Sequence, residues 1–275
     1  MNIGLIALDL DGTLMLPDHL TVSVRNKETL KKAHDMGVKI AISTGRTRSV
    51  IERVAEQIPF IDYVMYSDGA AVYDVNKKKI IYEKLIDFDI TKQVIEYLNS
   101  VEVYYNLYLD GKIVTQNGRQ RFFKNSDLPQ KFIDDYIKNT TVYDDLLMSI
   151  KGRGTELIVG FFNCEEDLNN AFDYINRYRD KLYITSAFTN EFEMTNIEAT
   201  KGKTMDYLCS LEGITDKNVM AIGDSHNDLP MLDFAGVSVA MGNAEQLVKD
   251  NSDFVTESNA NDGVATAIEK YVLNY

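Results

Sequence analysis

Acidic side chains gather at two places in this sequence where a short apolar run gives way to a glycine-bearing loop. Residues 3–8 lead into Asp9-Leu10-Asp11-Gly12-Thr13-Leu14, and residues 218–222 lead into Gly223-Asp224-Ser225-His226-Asn227-Asp228. A third apolar run, 38–43, ends in Thr44-Gly45-Arg46. Carboxylates such as Asp9, Asp11 and Asp224, brought to one point, repel one another and take up protons unless a cation neutralises them. Magnesium suits such a set, because it prefers oxygen ligands, keeps several waters and needs few carboxylates when a phosphate completes the shell. A carboxylate in that setting can also act as a nucleophile and form an aspartyl-phosphate. A bridging metal would lower the repulsion between it and a phosphoryl oxygen. Gly12 and Gly45 let backbone N–H groups approach a phosphate, and Thr44 offers a hydroxyl. Lys201, at a helix start, is placed to neutralise charge on a transferring group.

The elements that must position these residues alternate in type. Residues 3–8, 38–43, 63–67 and 218–222 read as strands buried on both faces. Thr21 is expected to cap a helix running to about Met36, with Gly37 as its stop. A second helix is expected from about Thr47 to the residue before Pro59. AAVYD and KIIYE, separated by Asn76 and a lysine run, read as a hairpin. The last third repeats the strand–helix alternation, with helices at 201–211, 227–234 and 262–272 and a strand at VSVAMG. Such alternation implies a parallel, doubly wound sheet. Its strands then share one carboxyl edge, so the three polar loops converge on one crevice.

The middle of the chain differs. VEVYYNLYL and KIVTQ flank Asp110-Gly111, a turn dipeptide between antiparallel strands. TELIVGFF and KLYITSAF add strands around a helix expected at 165–179. The fold class expected is therefore α/β: a Rossmann-like parallel core, residues 1–83 and 189–275, with an α+β cap inserted at 84–188. The cap tyrosines are expected mostly in the sheet and core, and Arg119, Arg121 and Lys124 on a solvated face.

Composition narrows the partners. A formal net charge of -13 and a sequence pI near 4.7 repel nucleic acid and anionic membrane, so neither is expected as a partner. The same charge repels phosphate esters, so a phosphate site has to be made locally positive. The N-terminus lacks a basic region before its short apolar run, and no apolar stretch approaches bilayer length, which points to a cytoplasmic protein. Cys164 and Cys209 lack metal-like spacing and read as two buried thiols.

DLDGTL, STGR, Lys201-Gly202 and GDSHNDLPML, in this order across the whole chain, resemble the haloacid-dehalogenase (HAD) superfamily. The large cap between the second and third motifs is similar to the Cof-type branch of sugar-phosphate phosphatases. The resemblance implies a magnesium-dependent phosphatase acting on small phosphorylated metabolites. It makes Asp9 the nucleophile and a metal ligand, and Asp11 the general acid–base, with its backbone carbonyl on the metal. Thr44 and Gly45 would hold the phosphoryl group, and Lys201 would hold both phosphate and Asp9. Asp224 would be a carboxylate metal ligand, and Asn227 and Asp228 would order metal-bound water, substrate or Lys201. An aspartate at Asp11 favours hydrolysis, since it can protonate a leaving alkoxide and then activate water. Two further readings stand beside this one: a phosphotransferase or phosphomutase on the same scaffold, and a non-catalytic regulator that binds a phosphometabolite. Asp68 stands where the family often has Asn. Arg46 reads as a phosphate contact or a helix-start ion-pair partner, and His226 as a solvent-facing loop residue.

Overall fold

The computed structural model describes residues 3–48, 55–122, 134, 136–186 and 190–274, which form two compact units, 1–83 with 200–275, and 84–199. The first unit opens with β1 (Leu5–Leu8), every residue of which is buried. An apolar run of this kind fits only a strand covered on both faces. Helix α1 (Val24–Asp35) follows, and then β2 (Lys39–Ser43). The cap of α1 is Ser23, whose side chain accepts from the Asn26 N–H, and not Thr21, whose hydroxyl donates to Asp18 instead. The helix expected from Thr47 falls largely outside the described residues. β3 (Tyr63–Tyr66) runs parallel to β2, and β4 (Ala71–Asp74) and β5 (Lys79–Glu83) complete an antiparallel edge.

The second unit has its own sheet and its own core. Helix α2 (Phe88–Asn99) precedes β6 (Tyr104–Leu109) and β7 (Lys112–Gln116). The turn between these strands has φ of 52° at Asp110 and 72° at Gly111. Positive φ at both central residues is what a tight hairpin of this twist demands, and Asp-Gly supplies it. β8 (Thr140–Tyr143), β9 (Leu157–Phe161), α3 (Glu165–Ile175), β10 (Leu182–Thr185) and β11 (Glu191–Asn196) follow, giving the strand order β10-β11-β9-β6-β7-β8. Val94, Ile95 and Leu98 of α2 and Ala171 and Ile175 of α3 pack into one cluster with Tyr105, Leu107, Ile158 and Phe192. Tyr104, Tyr108, Leu157, Val159 and Phe161 form another cluster, on the opposite side of these alternating strands.

The return to the first unit comes later than the sequence reading placed it. Residues 191–196 do not belong to the core segment 189–275; they form β11, inserted between β9 and β10 of the second sheet. Glu191 and Glu193 disguise this strand, because both are buried although their type reads as solvent-facing. At the unit's ends, Asn196 Nδ2 donates to the Leu85 carbonyl at 2.8 Å. Cys164 also departs from expectation: it is exposed at the start of α3, while Cys209 is buried, and both thiols are free.

The first unit then resumes with α4 (Lys201–Glu212), β12 (Val219–Gly223), a short helix Leu229–Phe234, β13 (Val237–Ala240), β14 (Phe254–Val255) and α5 (Gly263–Tyr271). Its eight-stranded sheet has the order β14-β13-β12-β1-β2-β3-β4-β5. The register is what matters for function. Leu8 pairs with Ile42 of β2 and with Ile222 of β12, both parallel, so Asp9, Ser43 and Gly223 stand level at one edge. Among the described residues no helix is long and apolar enough to cross a membrane.

Candidate active site

The loop after β1 leaves the sheet through a wide turn, with Leu14 N–H donating to the Asp9 carbonyl and Met15 N–H to the Leu10 carbonyl. Gly12 holds φ at 79° in this turn, and a Cβ there would lie 2.2 Å from Asp224 Oδ2. Only glycine meets both demands. The turn thus presses the first acidic loop against the one that follows β12. Thr13 Oγ1 donates to Asp224 Oδ1 at 2.8 Å across that junction. After β12, Asp228 accepts the N–H groups of Asp224 and Ser225 on Oδ2, at 2.9 and 3.1 Å. Its other oxygen is thereby turned inward.

One oxygen from each of Asp9, Asp224 and Asp228 lies within 4.8 Å of the others. Lys201 Nζ donates to Asp9 Oδ1 at 2.9 Å and to Asp228 Oδ1 at 2.6 Å, and its side chain is 1% exposed. α4 delivers this lysine at its first turn, capped by Thr200, and passes close to the Leu229–Phe234 helix: a Cβ on Gly202 would lie 2.2 Å from the Pro230 carbonyl oxygen. Burial raises the Asp9 carboxyl well above the usual carboxylate range, Lys201 opposes this, and Asp228, Asp224 and Asp11 add to it. Burial, with Asp228 next, pushes Asp224 up to about 7. Burial disfavours the Lys201 ammonium, but Asp228 and Asp9 outweigh it and hold its pKa well above the ordinary lysine value. Three converging carboxylates with one buried lysine leave negative charge uncompensated, and every donor is a hard oxygen. That set fits a hard divalent cation, which Asp9, Asp224 and Asp228 would hold.

The other residues singled out in the sequence fall into two groups. Thr44 and Gly45 lie at the end of β2 beside Asp68, whose Oδ1 would be 3.2 Å from a Cβ on Gly45. Thr44 Oγ1 accepts the Arg46 N–H at 3.1 Å, which leaves its hydroxyl proton to donate. Asn227 Nδ2 donates to Asp68 Oδ1 at 3.1 Å, so Asp68 is drawn into the site from the loop after β3. The Asp11 carboxylate, by contrast, lies outside the carboxylate cluster. Arg46 donates to it through Nε at 2.7 Å and Nη2 at 2.5 Å, and His19 Nδ1 contacts it at 2.8 Å. Burial raises the Asp11 carboxyl, but the Arg46 guanidinium outweighs that and holds it at about 2. Arg46 is therefore an ion-pair partner of the loop after β1. His226 is exposed.

Two contributors escape a reading by motif. Asn243 Nδ2 donates to the Gly12 carbonyl at 2.8 Å, and Asn243 Oδ1 in turn accepts the Asn259 N–H. Asn243 follows β13, so the rule that polar residues after parallel strands meet at one edge would have found it. His19 carried no such signal, because it lies within the loop and not at a strand end.

Comparison with known proteins points to one family. The family model for haloacid dehalogenase-like hydrolases matches residues 6–268. The chain is 29% identical over 273 residues to the 5-amino-6-(5-phospho-D-ribitylamino)uracil phosphatase YcsE of Bacillus subtilis, covering 99% of this chain and 97% of that one. It is 30% identical to a phosphoglycolate phosphatase of Methanobrevibacter smithii, covering 99% of this chain and 100% of that one. Among solved structures, a haloacid dehalogenase-like hydrolase from B. subtilis superposes with a TM-score of 0.85 at 27% identity, covering 98% of this chain and 100% of that one.

Proposed function

The chain belongs to the haloacid dehalogenase-like hydrolases, in the branch of Cof-type phosphatases, and from that premise we propose that it hydrolyses phosphate monoesters of small metabolites through a phosphoaspartate on Asp9. The observation that carries this reading is the buried Lys201 shared by Asp9 and Asp228, with Asp224 alongside. A lysine there neutralises charge on a transferred phosphoryl group while holding Asp9 in the orientation for in-line attack. Magnesium, when bound by the three aspartates, supplies charge neutralisation between the nucleophile and a phosphoryl oxygen.

The remaining steps belong to the chain's own residues. Thr44, with its hydroxyl proton uncommitted to backbone, donates to a phosphoryl oxygen. Asp9 Oδ bonds to phosphorus as the bond to the leaving oxygen breaks. Paired with Arg46 the Asp11 carboxyl is ionised, so Arg46 has to release it to take up a proton from water before it can pass that proton to the leaving oxygen and let the alcohol depart. Asp11 then takes a proton from water as the water oxygen bonds to phosphorus and the Asp9–phosphorus bond breaks, which returns the enzyme to its starting state. The second unit, 84–199, is assigned the choice of leaving group. The relatives' names point to a phosphorylated ribityl compound in one case and to phosphoglycolate in another, so the substrate class extends to phosphorylated sugars, polyols and small acids.

The test is phosphate release from a metabolite library with and without magnesium, run beside Asp9→Asn. The variant is expected to lose at least about a thousandfold in turnover, as removal of a covalent nucleophile does. Wild-type turnover in Asp9→Asn would sink the covalent mechanism. A flat library in the presence of magnesium would return the chain to a binding role.

A further inference from the structure

We propose that Asp68 is a specificity-determining residue whose carboxylate weakens the hold of the phosphoryl pocket on an anion, so that inorganic phosphate binds loosely and leaves; this rests on the reading that Thr44, Gly45 and Lys201 hold the phosphoryl group. The position of Asp68 carries it. Its N–H donates to the Thr44 carbonyl at 3.1 Å, and its Oδ1 would lie 3.2 Å from a Cβ on Gly45. Asn227 Nδ2, from the loop after β12, donates to the same oxygen at 3.1 Å. The carboxylate therefore stands against the end of β2, where the loops that follow β3 and β12 meet. Lys201 registers the charge. Burial disfavours its ammonium, and Asp68 comes after Asp228 and Asp9 among the carboxylates that favour it.

The charge on Asp68 is poorly compensated. The residue is 2% exposed, and its Oδ2 accepts no hydrogen bond among the described residues. Lys201 Nζ gives its hydrogen bonds to Asp9 and Asp228, not to Asp68. A buried carboxylate oxygen without a donor costs stability. The backbone nevertheless keeps it in place. Ser67 and Asp68 hold φ at 51° and 54°, a conformation uncommon outside glycine. Ser67 N–H is fixed to the Arg46 carbonyl at 3.0 Å, and Thr204 Oγ1 of α4 donates to the Gly69 carbonyl at 2.8 Å. The loop is thus tied to the end of β2 on one side and to α4 on the other, and its carboxylate cannot swing away as a surface one would. A phosphate held by Thr44 and Lys201 meets this fixed like charge in a site that holds little water, where repulsion is stronger than in bulk solvent.

The experiment measures inhibition by inorganic phosphate, with the ester that the wild type turns over fastest in a panel as substrate, at one neutral pH and at saturating free magnesium. Asp68→Asn removes the charge and keeps an oxygen for Asn227. It is expected to lower the inhibition constant of phosphate about tenfold, with KM for the ester falling in parallel. Asp68→Gly also removes the charge, suits the positive φ and is expected to tighten phosphate in the same direction. Melting temperatures establish folding, and if one of the two does not fold, the other decides. Unchanged or weaker inhibition in Asp68→Asn would overturn the proposal. Tighter phosphate in Asp68→Asn alone, with Asp68→Gly folded, would assign the gain to the new amide N–H and overturn it as well. Thr44→Val separates the two levels, because loss of its hydroxyl is expected to weaken phosphate inhibition about tenfold. If phosphate inhibition is unchanged in Thr44→Val, the phosphoryl pocket has been placed wrongly, and the role of Asp68 fails with it.

Discussion

Lys201 is buried, and both groups it hydrogen-bonds are acidic. Truncating it leaves carboxylates buried against one another. Lys201→Met is expected to lose about 100- to 1,000-fold in turnover, as loss of a single charge stabiliser does. Breaking a buried ion pair from one side also costs about 3–5 kcal/mol, so the metal-free variant should melt well below the wild type. Calorimetry without magnesium checks this, and an unchanged melting temperature would contradict it. Asp224 gives a pH signature. Its carboxyl is raised to about 7 in the fold from 3.8 outside it, so between those values the folded state holds the extra proton. Stability of the metal-free protein from this group is therefore full below about pH 4 and is lost as the pH rises through 7. A divalent cation that binds Asp224, as proposed for magnesium, must displace that proton, so its affinity should weaken as the pH falls below 7. Titration calorimetry from pH 6 to 8 measures the slope, and Asp224→Asn should abolish both magnesium binding and this part of the pH dependence of melting. Asp9, Asp224 and Asp228 were visible in the sequence because each follows a buried run. The partner of Asp11 was not, since no spacing connects residues 11, 19 and 46.

At the scale of elements, the site depends on register and on one backbone conformation. β1 stands between β2 and β12 with matched ends, and a one-residue slip would turn its side chains over and move Asp9 away from the edge. Gly12 is the second dependency. Gly12→Ala must adopt φ 79° and drive Asp224 aside. Left-handed backbone costs an L-residue about 1–2 kcal/mol before any collision is counted. The expected outcome is a lower melting temperature together with at least a tenfold loss of magnesium affinity, read by calorimetry. Retained affinity would mean that Asp224 relocates freely. The fully buried strands were legible because an unbroken apolar run has few other readings. β11 was not, because its two glutamates are buried against their type. Ser23 was passed over for Thr21, and the choice between neighbouring hydroxyls depends on Asp18, which captures Thr21.

On the scale of the whole molecule, a net charge of -13 surrounds a site meant for anions. Long-range repulsion of this kind slows the encounter and is screened by salt. kcat/KM for a phosphate ester is therefore expected to rise severalfold between low and physiological ionic strength, at constant free magnesium. A fall over that range would mean that the local positive field of the site dominates the encounter. The organisation into a host fold and an inserted one could be read from the switch between alternating and antiparallel patterns, although the second junction lies at 199 and not 188.

The hydrogen bond from Asn196 to the Leu85 carbonyl brings the two ends of the insertion together. It gathers the entrance and exit of the insertion into a neck, and the long excursion between them closes through its own sheet and core. A relative's insertion grafted at these two points is therefore expected to leave the register of the strands that carry Asp9 and Asp224 intact, with the graft's retained cation binding as the check.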